Sequence, residues 1–514
     1  MKPFLTSLIL FLTVTVHCQS LPDSILKKID HIFENVDHPD RPGCAVGIVR
    51  NDSLIFAKGY GMANLEYGVH NTPSTIFHIA SVSKQFTAFS LVLLARQGKL
   101  QLDDDIHKYL PWFPDLKEKI TIRHLLNHTS GIRDQWQLLA ISGTRLDDVI
   151  TQDHIIRILS RQQALNFRPG DQFNYCNSGY TMASEIVHAV TKQTLREFTD
   201  SALFKPLGMT STHFHDDAGE IVKDRAYSYG RFHGIYANRI LSYSNTGATS
   251  LFTNIDDFSK WIMNFYDHKV GDQKDIDLLT QKGRLNNGKE IDYGLGIGVI
   301  DEKGHKGFAH DGSDAGYRTV MVVFPDVKMG FIVFSNAGNF DPGAKAIALA
   351  GLFFNDTTKK NVPATDEHLA PSEKFAGDYI SDDGEKIHFQ SSSRPSTYTF
   401  SIPRPGDTLA FSSEKKAFTK YANAVMTDAA LRPYTGVYYC PELECRYTII
   451  LKDHRLVLTS IKYEDAPLDP AGPDHLFCGF WAMNHLKMLR GKNRRITGFE
   501  VNSGRVQHVK FDKL

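Results

Sequence analysis

Apolar runs near the two ends of the segment 44–336 constrain the fold of this chain more than any other feature. The run 44–50, CAVGIVR, and the run 54–61, LIFAKGYG, are joined by Asn51-Asp52, a pair typical of a hairpin turn. The sequence predicts later strands over 293–300, 317–324 and 330–336, and helices over 81–97, 178–194 and 341–354. Because the early and the late strands are both apolar, we predict that they are neighbours in the sheet of an α/β domain.

The composition changes after Phe354. The segment 355–374 is polar and carries two prolines, which is typical of a linker, and short strands separated by turn residues follow it. We therefore divide the 514 residues into a signal peptide over 1–20, a domain over 21–358, a linker over 359–371 and an all-β region over 372–514. The regular short strands of the all-β region predict a barrel or a sandwich, and this region shows no catalytic motif.

The N-terminus has the pattern of a secretory signal peptide. Lys2 precedes the uncharged run 3–16, which is too short to span a bilayer, and a polar exit follows. We predict cleavage between Cys18 and Leu21 and an extracytoplasmic protein, either periplasmic or secreted. Lipid attachment at Cys18, peripheral association with the cell envelope and a buried N-terminal element are the alternatives.

The charge balance and the positions of the cysteines limit the functions that this chain can have. Lysine and arginine total 58, and aspartate and glutamate also total 58, so no net charge favours nucleic acid, and we predict no nucleic-acid partner. Cys440 and Cys445 are close enough in the sequence for a local disulfide in an oxidising compartment, whereas Cys44, Cys176 and Cys478 are predicted to be buried and inert. The cysteines and histidines show no spacing typical of metal ligands, so we predict neither a metal nor a cofactor.

The stretch 79–100, IASVSKQFTAFSLVLLARQGKL, carries the strongest chemical signal. Ser81 precedes Lys84 by three residues at the start of an apolar helix, so the two side chains share one helix face. Burial lowers the pKa of a lysine, and a neutral amine can accept the serine proton. The free N–H groups of the helix N-terminus can stabilise an oxyanion at the serine. Because Ser-x-x-Lys occurs four times in the chain, a helix-capping Ser81 is the alternative on this evidence alone.

Four further segments follow the Ser81 stretch in a characteristic order. They are ITIRHLLNHTSGI (120–132), FRPGDQFNYCNSGYTMASEIV (167–187), PLGMTSTHF (206–214) and FAHDGSDAGYRTVMVVFPD (308–326). Together these segments resemble the serine β-lactamase and penicillin-binding protein superfamily, in its class C β-lactamase and esterase branch. The resemblance implies an α/β (α+β) β-lactamase-like transpeptidase fold, with an antiparallel sheet flanked by helices and an all-helical region.

The resemblance also implies roles for the residues of these motifs. Ser81 is the expected nucleophile, and Tyr175 works with Lys84 as a general base or acid that deprotonates Ser81 and protonates the leaving group. Asn177 is expected to hydrogen-bond Lys84 or the substrate amide. A core tyrosine at 175, a turn or helix-capping asparagine at 177 and a nucleophilic Cys176 are the alternatives.

The last motif is His310, Asp311 and Gly312, which stands where the family has Lys-Thr-Gly or His-x-Gly. The resemblance implies that the backbone N–H groups of Ser81 and Ser313 form the oxyanion hole. A structural role for His310, or a role for the neighbouring triplet 305–307 instead, is the alternative. Because histidine is mostly uncharged at neutral pH, whereas penicillin-directed relatives hold a carboxylate with a lysine here, we expect poorer turnover of β-lactams than of short esters or D-amino-acid amides.

The all-β region resembles, more loosely, the lipocalin-like domain appended to some members of this branch. The segments YTGVYYCPELECRYTIILKD (434–453) and ITGFEVNSGRVQHVKF (496–511) carry this likeness. A cap over the active-site cleft and a module that binds a partner are both compatible with it.

The sequence thus predicts a secreted serine hydrolase that forms an acyl-enzyme on Ser81. Its expected substrates are small molecules or peptides with amide or ester bonds, namely D-amino-acid peptides, esters or β-lactams. A non-catalytic penicillin-binding-like sensor or binding module, and an interaction protein whose β region is the functional part, are the alternatives. The sequence leaves the oligomeric state open.

Overall fold

The computed structural model describes most of the chain, with gaps at the N-terminus and between the two main parts. The described residues are 21–354, 377–381, 386–389, 400–401, 409–411, 417–421, 426–471 and 474–514. The signal peptide predicted over 1–20 and the linker predicted over 359–371 lie outside these residues and stay predictions. Within the described part of the chain, no helix combines the length and the apolar character needed to cross a membrane.

An antiparallel sheet of six strands forms the centre of the first part. Its strands are β1 (Cys44–Arg50), β2 (Ser53–Tyr60), β3 (Gly298–Glu302), β4 (His305–Asp314), β5 (Tyr317–Phe324) and β6 (Met329–Ser335), in the spatial order β3-β4-β5-β6-β1-β2. β1 pairs with β6, with Cys44 opposite Ser335 and Arg50 opposite Met329. The prediction that the early and late strands are neighbours in an antiparallel sheet is confirmed.

Helices cover both faces of this sheet. Val46 of β1 shares a buried cluster with Phe33 of the helix Asp23–Phe33 and Leu349 of the helix Pro342–Ala350, whereas the adjacent Ala45 belongs with Trp261 of the helix Ile255–Asp267 to the larger cluster on the other face. This alternation follows from the strand geometry, in which successive side chains point to opposite faces. The helices are α1 (Asp23–Phe33), α2 (Lys84–Arg96), α3 (Ile122–Leu126), α4 (Gln135–Ile141), α5 (Gln152–Leu159), α6 (Asn177–Thr191), α7 (Leu195–Thr199), α8 (Lys205–Leu207), α9 (Ile255–Asp267), α10 (Gln273–Thr280) and α11 (Pro342–Ala350).

Helices α3 to α8 form the predicted all-helical region beside the sheet. Three small sheets complete this part of the fold. They are built from the strands Met62–Asn64, Val69–His70, Phe77–His78, His213–Phe214, Tyr229–Phe232, Ile235–Asn238 and Leu251–Thr253.

The strand predicted over 293–300 begins later than expected, at Gly298. Gly296 has a φ of +77°, a conformation that favours glycine. A Cβ at this position would lie 2.8 Å from the carbonyl oxygen of Lys84. The chain therefore turns before the strand starts, and the turn packs closely against the first residue of α2.

The all-β region contains two units. The strands Gly377–Ser381, Lys386–Phe389, Phe400–Ser401, Leu409–Phe411 and Ala417–Tyr421 form a five-stranded sheet. After helix α12 (Asp428–Leu431), a closed barrel is formed by β7 (Gly436–Cys440), β8 (Cys445–Lys452), β9 (Arg455–Thr459), β10 (Ala466–Pro470), β11 (His475–Cys478), β12 (His485–Arg490), β13 (Ile496–Ser503) and β14 (Val506–Lys513). Tyr438 lies opposite Lys513 where the first and last strands close it. The predicted C-terminal barrel is confirmed.

The cysteines of the described residues are buried free thiols. This confirms the predicted burial of Cys44, Cys176 and Cys478. Cys440 and Cys445 lie opposite each other across the β7–β8 hairpin. Both are free thiols in the structure, so the local disulfide that their spacing allows is not formed between them.

Buried polar contacts hold the barrel against the first part. Arg133, which precedes α4, is fully buried, and its Nε and Nη2 donate to the carbonyl oxygens of Gln507 (2.8 Å) and His508 (2.9 Å). Its Nη1 forms an ion pair with Glu442, which is 5% exposed. Because both charges are removed from water, each depends on the other for compensation.

We predict that Arg133→Met lowers the free energy of unfolding by about 3–5 kcal/mol, because it leaves the Glu442 carboxylate buried and unpaired. The measurement is urea denaturation followed by tryptophan fluorescence. Arg284→Met is the control, because its ion pair with Glu290 is exposed and such pairs contribute about 1 kcal/mol or less. Equal effects of the two substitutions would contradict a stabilising role for the buried pair.

Candidate active site

Ser81 lies in a single 3₁₀ turn, Ala80–Ser83, that precedes α2. Ala80 has a φ of +50°, a strained conformation for a residue with a side chain, and such strain is often found at functional sites. Hydrogen bonds hold the turn on both sides, since Thr319 Oγ1 donates to Ile79 O at 2.8 Å and Ser83 Oγ donates to Ala80 O at 2.5 Å. The helix predicted from residue 81 thus starts with a tight turn that fixes the serine.

Lys84 is fully buried, and its amine has three neighbours. Nζ lies 3.0 Å from Ser81 Oγ, 2.9 Å from Asn177 Oδ1 and 2.6 Å from the carbonyl oxygen of Ala248. Burial lowers the pKa of Lys84 to about 7. A neutral amine has two N–H groups and one lone pair. When the N–H groups donate to Asn177 and Ala248, the lone pair is left for the Ser81 proton.

Asp134 fixes the orientation of Asn177. Its Oδ2 accepts hydrogen bonds from both the backbone N–H and the side-chain Nδ2 of Asn177, each at 2.8 Å. Because the amide nitrogen is held by this carboxylate, Oδ1 must face Lys84. The contact between Asn177 and Lys84 that the family resemblance implies is present in the structure.

Tyr175 lies beside both Ser81 and Lys84. Its ring centroid is 5.0 Å from Lys84 Nζ and 4.1 Å from the ring centroid of His128. Burial raises the pKa of Tyr175 well above its usual value, although a hydrogen bond with Ser81 opposes this shift. The phenol therefore stays protonated at neutral pH and is suited to give a proton, whereas Lys84 is the group that can accept one.

His310 is part of a chain of hydrogen bonds with fixed donors. Its Nδ1 donates to Asp311 O at 2.6 Å, so its Nε2 accepts from the Tyr293 hydroxyl at 2.8 Å. Tyr293 in turn lies 3.2 Å from His128 Nε2, and His128 Nδ1 accepts from the Cys176 N–H at 3.0 Å. Burial lowers the pKa of His310 to about 4. His310 is therefore uncharged at neutral pH, and protein groups engage both its ring nitrogens.

Gly312 lets β4 approach the turn that carries Ser81. A Cβ at this position would lie 2.4 Å from both Ile79 O and Thr319 Oγ1, so any larger residue would displace the strand. This close approach brings the backbone of Ser313, the next residue, towards the nucleophile turn. The two N–H groups expected to form the oxyanion hole thus come from adjoining segments.

Cys176 lies within the same motif but is unsuited to be the nucleophile. It is 4% exposed, and its Sγ donates to Ile132 O at 3.2 Å. Burial raises the pKa of the Cys176 thiol to about 12. A thiol that stays protonated is a poor nucleophile, so Ser81 stays the candidate nucleophile.

A cleft of about 830 Å³ opens beside Ser313. The first part of the chain lines it with Trp136 and Tyr243, whose stacked rings have centroids 4.6 Å apart. The barrel contributes Tyr463 and Trp481 to the same cleft. A cleft of this size with aromatic walls is typical of a small-molecule site.

The barrel also reaches Tyr175, although the sequence of the all-β region shows no catalytic motif. Arg505 lies in the β13–β14 hairpin, and its guanidinium is 4.7 Å from the ring centroid of Tyr175. The sequence motifs include neither this residue nor Asp134, Tyr293 and the carbonyl of Ala248 among the predicted site groups. These partners are distant from one another in the sequence, and only the fold brings them together.

Away from the cleft, His213, His215 and Glu220 bring three potential metal ligands within 4.8 Å of one another. Arg196 donates to both carboxylate oxygens of Glu220, at 2.6 and 2.8 Å. Burial, together with this guanidinium, lowers the pKa of His213 to about 4. Because a cation here would lie beside Arg196, we assign no metal to this group.

Comparisons with known proteins agree with this geometry. The family model described as Beta-lactamase matches residues 29–353. Penicillin-binding protein 4* of Bacillus subtilis is 24% identical over 380 residues, which cover 70% of this chain and 84% of that protein. A D-aminopeptidase of Brucella anthropi is 28% identical over 315 residues, and the match spans 60% of this chain but 58% of the relative.

A solved structure shows that the likeness extends to the fold. The octameric penicillin-binding protein homologue from Pyrococcus abyssi has a TM-score of 0.57 at 20% identity. The superposition covers 89% of this chain and 97% of that one. At this identity the likeness supports the fold and not the function.

We predict that the reactivity of Ser81 follows the protonation of Lys84. Below the Lys84 pKa of about 7 the ammonium cannot accept the serine proton, so labelling by an uncharged fluorophosphonate should rise with pH and level off above pH 7. The measurement is the labelling rate as a function of pH, with Lys84→Ala as the variant that lacks this dependence. A midpoint near pH 10 in the wild type would show that the lysine is charged at neutral pH.

Proposed function

This chain belongs to the Beta-lactamase family, and from that premise we propose that it is a serine hydrolase that forms an acyl-enzyme on Ser81. The observation that carries the proposal is the position of the buried Lys84 amine, 3.0 Å from Ser81 Oγ and held by Asn177 and Ala248. This arrangement supplies a base whose lone pair faces the nucleophile. The named relatives of this chain include D-aminopeptidases, which supports hydrolysis of amide bonds.

In the first half of the reaction, Ser81 Oγ attacks the substrate carbonyl carbon while Lys84 Nζ takes the hydroxyl proton. The backbone N–H groups of Ser81 and Ser313 donate to the oxyanion that forms. When the bond to the leaving group breaks, the Tyr175 hydroxyl gives a proton to the departing nitrogen or oxygen. Tyr175 recovers that proton from the Lys84 ammonium, and the serine is left esterified.

In the second half, water replaces the leaving group. Lys84, neutral again, takes a proton from the water as it attacks the ester carbonyl, with Tyr175 relaying the proton. The Ser81 oxygen then departs and regains a proton, which releases the acid and restores the resting enzyme. The substrates that this chemistry serves are D-amino-acid peptides or amides, esters or β-lactams.

We predict that Ser81→Ala abolishes hydrolysis of an activated ester without unfolding the protein. The reason is that Ser81 Oγ lies 3.0 Å from the Lys84 amine, whereas burial keeps the neighbouring Cys176 thiol protonated. Intact-mass analysis with a slow substrate should show one acyl adduct, located on the Ser81 peptide. Cys176→Ala is the control and should retain the adduct. Label that persists without turnover would indicate a penicillin-binding sensor instead of an enzyme.

We also predict that Lys84 and Tyr175 act as a unit. Lys84→Ala and Tyr175→Phe should each lower kcat by several orders of magnitude, and the double variant should be little worse than either alone. The measurement is kcat for the same ester in the four proteins, with circular dichroism to verify folding. If the two losses multiply, the residues handle separate protons and the shared relay is wrong.

A further inference from the structure

The barrel places a guanidinium at the catalytic groups. Arg505 lies at the tip of the hairpin between β13 and β14, and its guanidinium carbon is 4.7 Å from the ring centroid of Tyr175. Tyr175 is the group that protonates the leaving atom in the proposed reaction. A positive charge therefore lies against the ring of the residue that is proposed to protonate the leaving group.

The backbone of this hairpin tip is fixed by the first part of the chain. The Arg505 N–H donates to Gln137 Oε1 at 2.9 Å, and the Arg505 carbonyl accepts from Asn166 Nδ2 at 2.9 Å and from the Asp134 N–H at 3.3 Å. Gln137 Nε2 also donates to Ser503 O at 2.6 Å. These bonds use backbone atoms of the tip, so they do not require the arginine side chain.

The guanidinium itself keeps donors available for a ligand. Arg505 Nη1 lies 4.0 Å from Asp134 Oδ2, which is longer than a hydrogen bond. That carboxylate oxygen already accepts both hydrogen bonds from Asn177. The Arg505 side chain is 47% exposed. The Arg505 guanidinium is thus exposed and not hydrogen-bonded to Asp134. Its planar fork of N–H donors matches the two oxygens of a carboxylate.

The other basic groups around Tyr175 lack a permanent charge. Burial lowers the pKa of Lys84 to about 7 and that of His310 to about 4, and it holds the pKa of His128 well below its usual value. Asp134 and Asp311 are the acidic groups that act on Tyr175. Among Arg505, Lys84, His310 and His128, Arg505 is therefore the group that stays cationic while Lys84 is neutral.

We propose that Arg505 binds a carboxylate on the leaving group of the substrate, so that the barrel completes the specificity site of the hydrolase. The proposal rests on the acyl-enzyme chemistry at Ser81 proposed above. It also revises the expectation drawn from His310, because a cation absent from the motif on the sheet is supplied from the barrel. The substrate class is an ester or amide whose leaving group carries a carboxylate.

The test uses two acetyl esters that differ in one group, 3-acetoxybenzoate and its carboxamide, 3-acetoxybenzamide. The ratio of kcat/KM for the carboxylate to that for the carboxamide is measured in wild type, Arg505→Ala and Arg505→Lys. Loss of a charge-assisted contact should lower this ratio by about ten- to a hundred-fold in Arg505→Ala, with a partial recovery in Arg505→Lys. Arg455→Ala removes an exposed arginine elsewhere on the barrel and should leave the ratio unchanged.

Equal losses on both esters would overturn the proposal, because they would mean that Arg505 acts on Tyr175 or on the fold and not on the carboxylate. Unchanged kcat/KM values for both esters in Arg505→Ala would overturn it as well. Binding of the two esters to Ser81→Ala protein, with and without Arg505→Ala, separates this proposal from the proposed function. Preferential binding of the carboxylate that depends on Arg505 supports the subsite even if no ester is hydrolysed. Fluorophosphonate labelling of Ser81 tests the hydrolase chemistry by itself.

Discussion

The proposed chemistry of this protein depends on one buried amine. Lys84 is enclosed at the start of α2, where two fixed oxygens, Asn177 Oδ1 and the Ala248 carbonyl, lie 2.9 and 2.6 Å from Nζ. Because Lys84 is buried and no carboxylate of the described residues contacts its amine directly, the ammonium form is costly, and the pKa of Lys84 falls to about 7. The same enclosure aims the remaining lone pair at Ser81. Burial is therefore what turns a lysine into a base.

The fold provides this enclosure through contacts between distant parts of the chain. Gly296 and Gly312 let the backbone approach the two ends of the nucleophile turn, where a Cβ would meet Lys84 O or Ile79 O. Asp134 holds Asn177 by two hydrogen bonds, and the loop that carries Ala248 is held by Thr87, whose Oγ1 donates to Gly247 O at 2.8 Å. The helical region and the sheet therefore supply different sides of one site, and neither would form it alone.

The barrel is joined to this site by the same segment that supports Asn177. Arg133 binds the barrel through Glu442 and two backbone carbonyls, and the next residue, Asp134, contacts both Asn177 and the hairpin tip at Arg505. Two consecutive residues thus couple the docking of the barrel to the geometry around Lys84. This coupling gives the C-terminal region a physical route to influence the cleft, which a detached accessory domain would not have.

The candidate nucleophile Ser81, the lysine beside it and the strands that meet in the central sheet could be identified from the sequence. These could be predicted because the i, i+3 spacing of Ser81 and Lys84 and the apolar runs are local patterns, and the order of the motifs identified Tyr175 and Asn177. The lowered pKa of Lys84, the hydrogen bonds that engage His310 and the position of Arg505 beside Tyr175 emerge from the folded chain. Each of these depends on burial or on a contact between residues far apart in the chain, and such contacts leave no local pattern in the sequence.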